Sequence, residues 1–599
     1  MATTTNISAK DMLSSYALFN ATDIKQFIID QLKADNSPFK DVDYLGSNMN
    51  AFIDIIAVML QQILFSYSVN ASETAFSTAT LYESMSKLVS ILNYKAAGKQ
   101  TSILPVEITI TKPAGFEDTT QITLPKFLTA NYDYQYVLPK SEIINLTDNT
   151  TTVNTVMFQG VIQESREFTA KGDEFETIKI KDRHIKSSSS FISDNFFTIY
   201  VDEYNNGSWK EYTESSSLFL EKSTAEKYEK RFTEDYDYEF KFGNGSYGKK
   251  LPSGAKIIIY YLLSNGESGV VGNKTIHTNK LTTYASYAYN NIINSLDEPN
   301  TNIVAVPSDW LTIRNTGPST NITMPESVES MRKNAPKVFA SQGRMFSLAD
   351  YRSYILKEFA SYIKDLFIAD NSYFTGTFLK YYYDLGLAAP QKDSRVALAQ
   401  VEFMNSTNFN NIYCFLTPNI NTLIDGKVPN YLNTSLKQQI VNKCRPQMGP
   451  THNLVIVDPV YKAFTFGSNK LDDDAWNKQQ LETKLVIVKN KNSKYSNSYI
   501  LSYCVESLKA YFNTLKMGSA VNTSVISQII LSSPGVKGYY LKDINGNVDS
   551  IITLYSWNPL YKDEDNIISS QTFICKEFEY PYFYNLDNLK NKVIVVEET

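Results

Sequence analysis

Apolar residues recur at helical spacing through the first hundred positions. Ile24, Phe27, Ile28 and Leu32 fall at i, i+3, i+4 and i+8 behind Thr22, a residue that can cap a helix. A second helix is predicted from Ser47 to Val69. One stripe of it carries Met49, Phe52, Ile53, Ile56, Leu60, Ile63, Leu64 and Tyr67, yet Ile55, Val58 and Met59 lie off that stripe. The helix is therefore apolar nearly all round and needs cover on more than one side. That cover comes either from a local three-helix bundle, with a third helix over Ala75 to Leu92, or from helices of other chains.

From about Thr101 the period changes to two. VEITITK, TIKIK, FFTIYVDEY and YDYEFKF alternate; in the last, Tyr236, Tyr238, Phe240 and Phe242 share one face, and Asp235, Asp237, Glu239 and Lys241 the other. Residues 101–280 read as a β-rich domain, and 281–323, rich in Asn, Thr, Ser and Pro, as an irregular connection or insertion. Helices return in 324–388, where Pro325 suits a first turn and Ser347 with Asp350 forms a capping-box start for Leu348, Tyr351, Ile355 and Phe359. Strands and helices alternate in 389–470 and again in 471–599, with helices near 431–443, 499–515 and 524–531. The pattern predicts an α+β, multidomain chain: an N-terminal helical bundle segment (1–100), a β-rich middle, a further helical segment and C-terminal α/β sandwich domains.

A length of 599 residues is enough for several domains at about 150 residues each. The net charge of −6 provides no basic field for phosphate backbones, so nucleic acid is not an expected partner. Tyr outnumbers Phe, 41 to 33, which suits surfaces half buried against partners. Cys414, Cys444, Cys504 and Cys575 stand too far apart for a metal knuckle or a disulfide framework, and reduced thiols are expected. The start lacks a basic and apolar leader pattern, and Asp54, Gln61 and Gln62 interrupt the most apolar helix, so no membrane partner is expected.

Candidate chemistry is sparse. Gly243, Gly245 and Gly248 match the bare GxGxxG spacing, but a strand (LPSGAKIIIYY) follows where a dinucleotide site needs a helix N-terminus, so a tight glycine hairpin is predicted. In GESGVVGNKT, Asn273 separates Gly272 from Lys274 and displaces the lysine from its phosphate-loop position. His184, His277 and His452 show no metal-ligand spacing. Carboxylate groups such as Asp472, Asp473 and Asp474 read as solvated, and the KIKDRHIK run as a strand with a charged outer face. No catalytic residue, cofactor or metal is expected.

The arrangement of motifs is more telling. PFKDVDYLGSNMNAFIDIIAVMLQQILFSYSVNASETAFSTATLYESMSKLVSILNYKAAG resembles the opening of the baseplate J-like family, the baseplate wedge proteins of contractile-tailed bacteriophages. FKFGNGSYGKKLPSGAKIIIYYLL is similar to the family's glycine-rich segment through Gly243, Gly245 and Gly248. ESVESMRKNAPKVFASQGRMFSLADYRSYI is similar to its helical segment through Glu326, Arg332, Ala335, Pro336, Arg344, Asp350 and Tyr351. A tail strand with Trp557, Asn558, Pro559 and Tyr561 resembles the larger, ring-forming members. Residues 281–323 have no counterpart in that pattern.

The resemblance implies a structural, non-enzymatic subunit of the inner baseplate in a virion tail, assembled in the host cytoplasm. It implies pairing with a second copy, a core bundle shared with a long scaffold wedge subunit and other wedge proteins, C-terminal links to neighbouring wedges in a ring around the tail tube, and transmission of the change that triggers sheath contraction. Phe52, Ile55, Ile56, Met59, Leu60, Ile63 and Leu64 would then meet helices of other chains, and 281–323 and 389–394 would serve as hinges. Two alternatives belong to other classes: a receptor- or carbohydrate-binding tail protein, whose aromatic strand faces would stack on sugars, and a tail-associated glycan hydrolase.

Overall fold

The computed structural model describes residues 20–33, 48–92, 94–112, 121–146, 148–181, 190–233, 237–296, 304–305, 310–342, 344–381, 410–420, 423–424, 428–429, 431–468, 480–559, 566–568 and 572–598. Helices α1 (Ala21–Leu32), α2 (Asn48–Glu73) and α3 (Tyr82–Ile91) come first, and α4 (Tyr287–Ser295), α5 (Val328–Ser341) and α6 (Leu348–Glu358) follow a long run of strands. Helices α7 (Thr434–Cys444), α8 (Asn497–Asn513) and α9 (Thr523–Leu531) alternate with the C-terminal strands. The chain is α+β and multidomain. It divides into two compact units, the smaller formed by residues 1–96, 233–235 and 326–336, the larger by the remainder.

In the smaller unit, α1 is capped by Asn20, whose side chain accepts from the Asp23 backbone N–H, and not by Thr22. Asn20 holds the extended backbone that lets its oxygen reach the first turn, whereas Thr22 already lies inside the helix. Helix α1 packs on α2 through Ile29 and Ile53, flanked by Ile28 and Leu32, and Lys25 pairs with Asp54 at 2.7 Å. The third helix begins at Tyr82, later than the pattern predicts, because residues 74–80 form a turn clasped by side chains described below.

The larger unit holds the sheets. A seven-stranded sheet, antiparallel throughout, places Ile103–Thr111 between Thr150–Gln159 and Leu311–Asn315. Residues 281–323 are thus not an irregular connection: they supply Leu281–Thr283, α4 and Leu311–Asn315. Leu311 and Ile313 are fully buried in that sheet, and the five-residue strand escapes sequence reading because Asn, Thr and Pro crowd both its ends. Leu311–Asn315, bonded on both sides, is not itself the place of the hinge expected in 281–323. Residues 389–394 lie outside the described residues, as do the RVALAQVEF strand and the PFKDVDYLG entry motif.

The second large sheet, eight strands in all, runs from Val161–Glu164 through Lys256–Ser264, Phe191–Asp202 and Trp209–Glu214 to Lys227–Phe232, Tyr238–Phe242 and Thr177–Ile180, with Phe168–Thr169 beside Lys256–Ser264. Tyr238, Phe240 and Phe242 alternate inward and are essentially buried, with Phe197 packed on the first two at 4.8 and 5.1 Å. Among its described residues this face is core and offers no ring to a sugar; Tyr236 lies outside them.

Toward the C-terminus, Val460–Phe466 pairs antiparallel with Leu554–Trp557 and parallel with Glu579–Phe583, while Lys484–Lys489 lies between Val536–Lys542 and Val593–Glu597. Helices α8 and α9 fill the core that these strands share, through Leu508, Phe512, Ile526 and Ile530.

Candidate assembly interface

Helix α2 runs 26 residues and buries only Asn50, Ile53 and Ala57, a stripe at i, i+3 and i+7 whose Ile53 packs on α1. The rest of its apolar surface faces water. Phe52 is 61% exposed, Ile63 61%, Ile55 and Met59 57% each and Ile56 47%; Leu60 is exposed and Leu64 half buried. Within the described residues, α2 is thus a flank of a thin helical layer, not the centre of a three-helix bundle. Each of these side chains left in water forgoes about 1.5–3 kcal/mol of burial. By length and composition alone α2 is also apolar enough to cross a membrane.

Polar clasps hold the end of α2. The Glu73 carboxylate reaches forward to accept from the Thr80 hydroxyl at 2.7 Å, the Thr80 N–H at 2.9 Å and the Leu81 N–H at 3.0 Å. These bonds, that of the Thr80 hydroxyl above all, pull its pKa from the ordinary 4.5 to about 2. Arg332, from the opening turns of α5, donates to the carbonyls of Phe76 and Ala79 and pairs with Glu329. Glu326 accepts from the Tyr94 hydroxyl at 2.7 Å, the Ser330 hydroxyl at 2.7 Å and the Asn334 amide at 3.3 Å. The structure therefore brings together two motif strings some 250 residues apart in sequence. Glu326 and Arg332 stand out in the sequence, but their partners, Tyr94 and two backbone carbonyls, carry no signal there.

The other motif residues fall elsewhere. Pro336 sits inside α5 on its exposed side, after a helix that starts at Val328, so Pro325 precedes the helix instead of opening it. Arg344 is exposed. Asp350 closes the capping box with Ser347, as its spacing predicts. Tyr351 is fully buried, its hydroxyl 2.8 Å from His452 Nδ1 and its pKa pushed up to about 12 by burial. Trp557 stacks on Tyr555 with centroids 5.0 Å apart, Asn558 is buried, Pro559 is half buried and Tyr561 lies outside the described residues.

Gly243, Gly245 and Gly248 form a tight loop but not a hairpin. The strands on either side, Tyr238–Phe242 and Lys256–Ser264, stand four places apart in the sheet. Gly245 and Gly248 have φ of +90° and +70°, and a Cβ on Gly243 would sit 2.2 Å from the Gly248 carbonyl carbon, so the turn closes only on glycine. A strand follows, and no helix N-terminus meets the loop.

All four cysteines are free and buried; burial pushes the Cys504 thiol up to about 11 and Cys444 to about 12. Glu239 is engaged by Lys179 and Arg231. Among the described residues no group of three or more His, Cys, Asp or Glu is placed to hold a metal ion. His184, Asp235 and Asp472–Asp474 lie outside them.

No protein-family model matches the chain, and no curated protein does. Among solved structures, a chain of the anti-feeding prophage (AFP) baseplate, from a 6-fold symmetrised cryo-EM structure, is similar over 94% of this chain and 98% of its own, at 10% sequence identity and a TM-score of 0.26. The likeness is one of extent and not of close superposition.

Proposed function

We propose that the chain is a structural subunit of a contractile-tail baseplate, a wedge protein of the baseplate J-like kind. It works by packing: α2 joins a bundle with helices of other chains, a second copy among them, and the remaining domains carry the change of ring geometry that releases the sheath. The observation that carries this reading is the α2 surface, where, among the described residues, six of the seven apolar positions singled out by the sequence stay exposed and Leu64 is half buried, while Glu73 and Arg332 fix the end of the helix. A fixed helix with apolar surface open on several sides is what a multi-chain bundle requires. The family motifs support the same reading, and the alternatives of a sugar-stacking strand face and a hydrolase have no such support.

The test is the mass of the purified chain by light scattering, alone and co-expressed with the neighbouring tail reading frames. A dimer, or a hetero-complex with two copies of this chain, is the expected result. Ile56→Asp or Leu60→Asp abolishes that assembly, since a carboxylate buried without a partner costs several kcal/mol. Complexes that co-purify intact with either substitution would defeat the bundle reading. A chain recovered only with the membrane fraction would show that α2 meets lipid instead.

A further inference from the structure

One cleft in the larger unit is unused by the assembly reading. It measures about 530 Å³ and lies between the start of α4 and the loop after strand Phe191–Asp202. That volume is within the range of small-ligand sites, about 300–1,000 Å³. One of its walls comes from the Asn-rich segment that the sequence pattern left without a counterpart.

Helix α4 divides cleanly. Tyr289 and Ile292 are buried in an aromatic core with Phe127 and Tyr260, while Tyr287, Asn291 and Asn294 line the cleft. The helix is pinned at both ends: Ser286 caps it and donates to Glu164, and the Ser295 hydroxyl accepts from the Trp209 N–H at 3.2 Å. Opposite, the Asp202 carboxylate accepts from the N–H groups of Asn206 and Gly207, which fixes a turn in which Asn205 takes φ of +51° and reaches the cleft. Trp209 lies along the wall. Lys256 pairs with Glu167 at 3.1 Å, and the Asp202 carboxylate is taken up by the backbone N–H groups of its own turn.

We propose that this cleft binds a neutral saccharide. Three carboxamides, from Asn205, Asn291 and Asn294, both donate and accept, as sugar hydroxyls do. Tyr287, 87% exposed, offers a ring to the C–H face of a pyranose. An anion would meet Asp202 and Glu167, and a cation would meet Lys256 and carboxylates already bonded. This site is distinct from the buried strand face of Tyr238 and Phe240.

The experiment is a microarray of neutral and acidic oligosaccharides probed with the full chain, followed by calorimetry on the strongest neutral hit. Tyr287→Ala should weaken that binding about tenfold and Asn291→Ala about fivefold, with the unfolding midpoint unchanged because both side chains are on the surface. Tyr204→Ala, an exposed residue outside the cleft, should leave it intact. No neutral glycan bound, binding confined to acidic glycans, or affinity indifferent to Tyr287→Ala and Asn291→Ala would each overturn the assignment. None of these results bears on the mass measurement that tests the assembly role.

Discussion

Helices α2 and α8 are both rich in apolar residues, and the chain treats them oppositely. Helix α8 buries Ile500, Cys504, Val505, Leu508 and Phe512, one stripe in a shared core, and turns Ser498, Ser502 and Glu506 to water. Helix α2 is half as long again, yet buries three positions and has no polar face to present. An amphipathic stripe is a sequence that covers itself. A helix apolar on all sides needs cover on more than one side, and among the described residues α1 supplies it on one side only.

Substitutions at equivalent apolar positions turn that contrast into numbers. Leu508→Ala should cost about 2–5 kcal/mol, because Leu508 is fully buried and its loss leaves a cavity. Ile63→Ala in the isolated chain should fall within about 0.5 kcal/mol of wild type, since Ile63 is 61% exposed. Urea unfolding followed by circular dichroism measures both. Equal costs would mean that α2 is covered within the chain, and the comparison would collapse.

The clasp at the end of α2 is the next term. Arg332→Ala removes two donors to backbone carbonyls in a half-buried setting and should cost the smaller unit about 1–3 kcal/mol. Amide exchange of Thr78 to Met85 should rise, and Arg332→Lys should restore only part of the protection, since one ammonium does not reproduce the planar guanidinium fork. Unchanged exchange in Arg332→Ala would show that the turn stands without it.

Local signals were legible in the sequence and distant ones were not. The capping box of Ser347 and Asp350 needs four consecutive residues, and the helical and two-residue periods need a dozen, so α2, α8, α9 and the strands around Ile103–Thr111 and Tyr238–Phe242 could be read directly. The strand Leu311–Asn315 is too short to show a period among its Asn, Thr and Pro neighbours. The glycine loop looked like a hairpin because tight turns usually join adjacent strands, and only the sheet order shows otherwise. Arg332 was marked as a motif residue, but carbonyls carry no sequence signature, so its contact with residues 76 and 79 appears only in three dimensions. For α2, the sequence supplied the need for cover, and the fold decided that α1 meets only a small part of it.

The smallest expected effect concerns pH. Glu73 titrates at about 2 in the folded chain against an ordinary 4.5, so folding favours its ionised form. A depressed carboxylate pKa adds stability that is present above 4.5 and is lost as pH falls toward 2. Its bonds end on Thr80, Leu81 and Ser84, so the loss should be local: the protection of the Thr80 and Leu81 amides, corrected for intrinsic exchange, should fall between pH 4.5 and 2 while that of α8 stays flat over the same range. Glu73→Gln keeps an acceptor oxygen but no titration, and should give faster exchange with no pH dependence beyond the intrinsic chemistry. Acceleration across this window that persists in Glu73→Gln would assign it to another group, and α2 would then end in a turn that its own last residue does not hold.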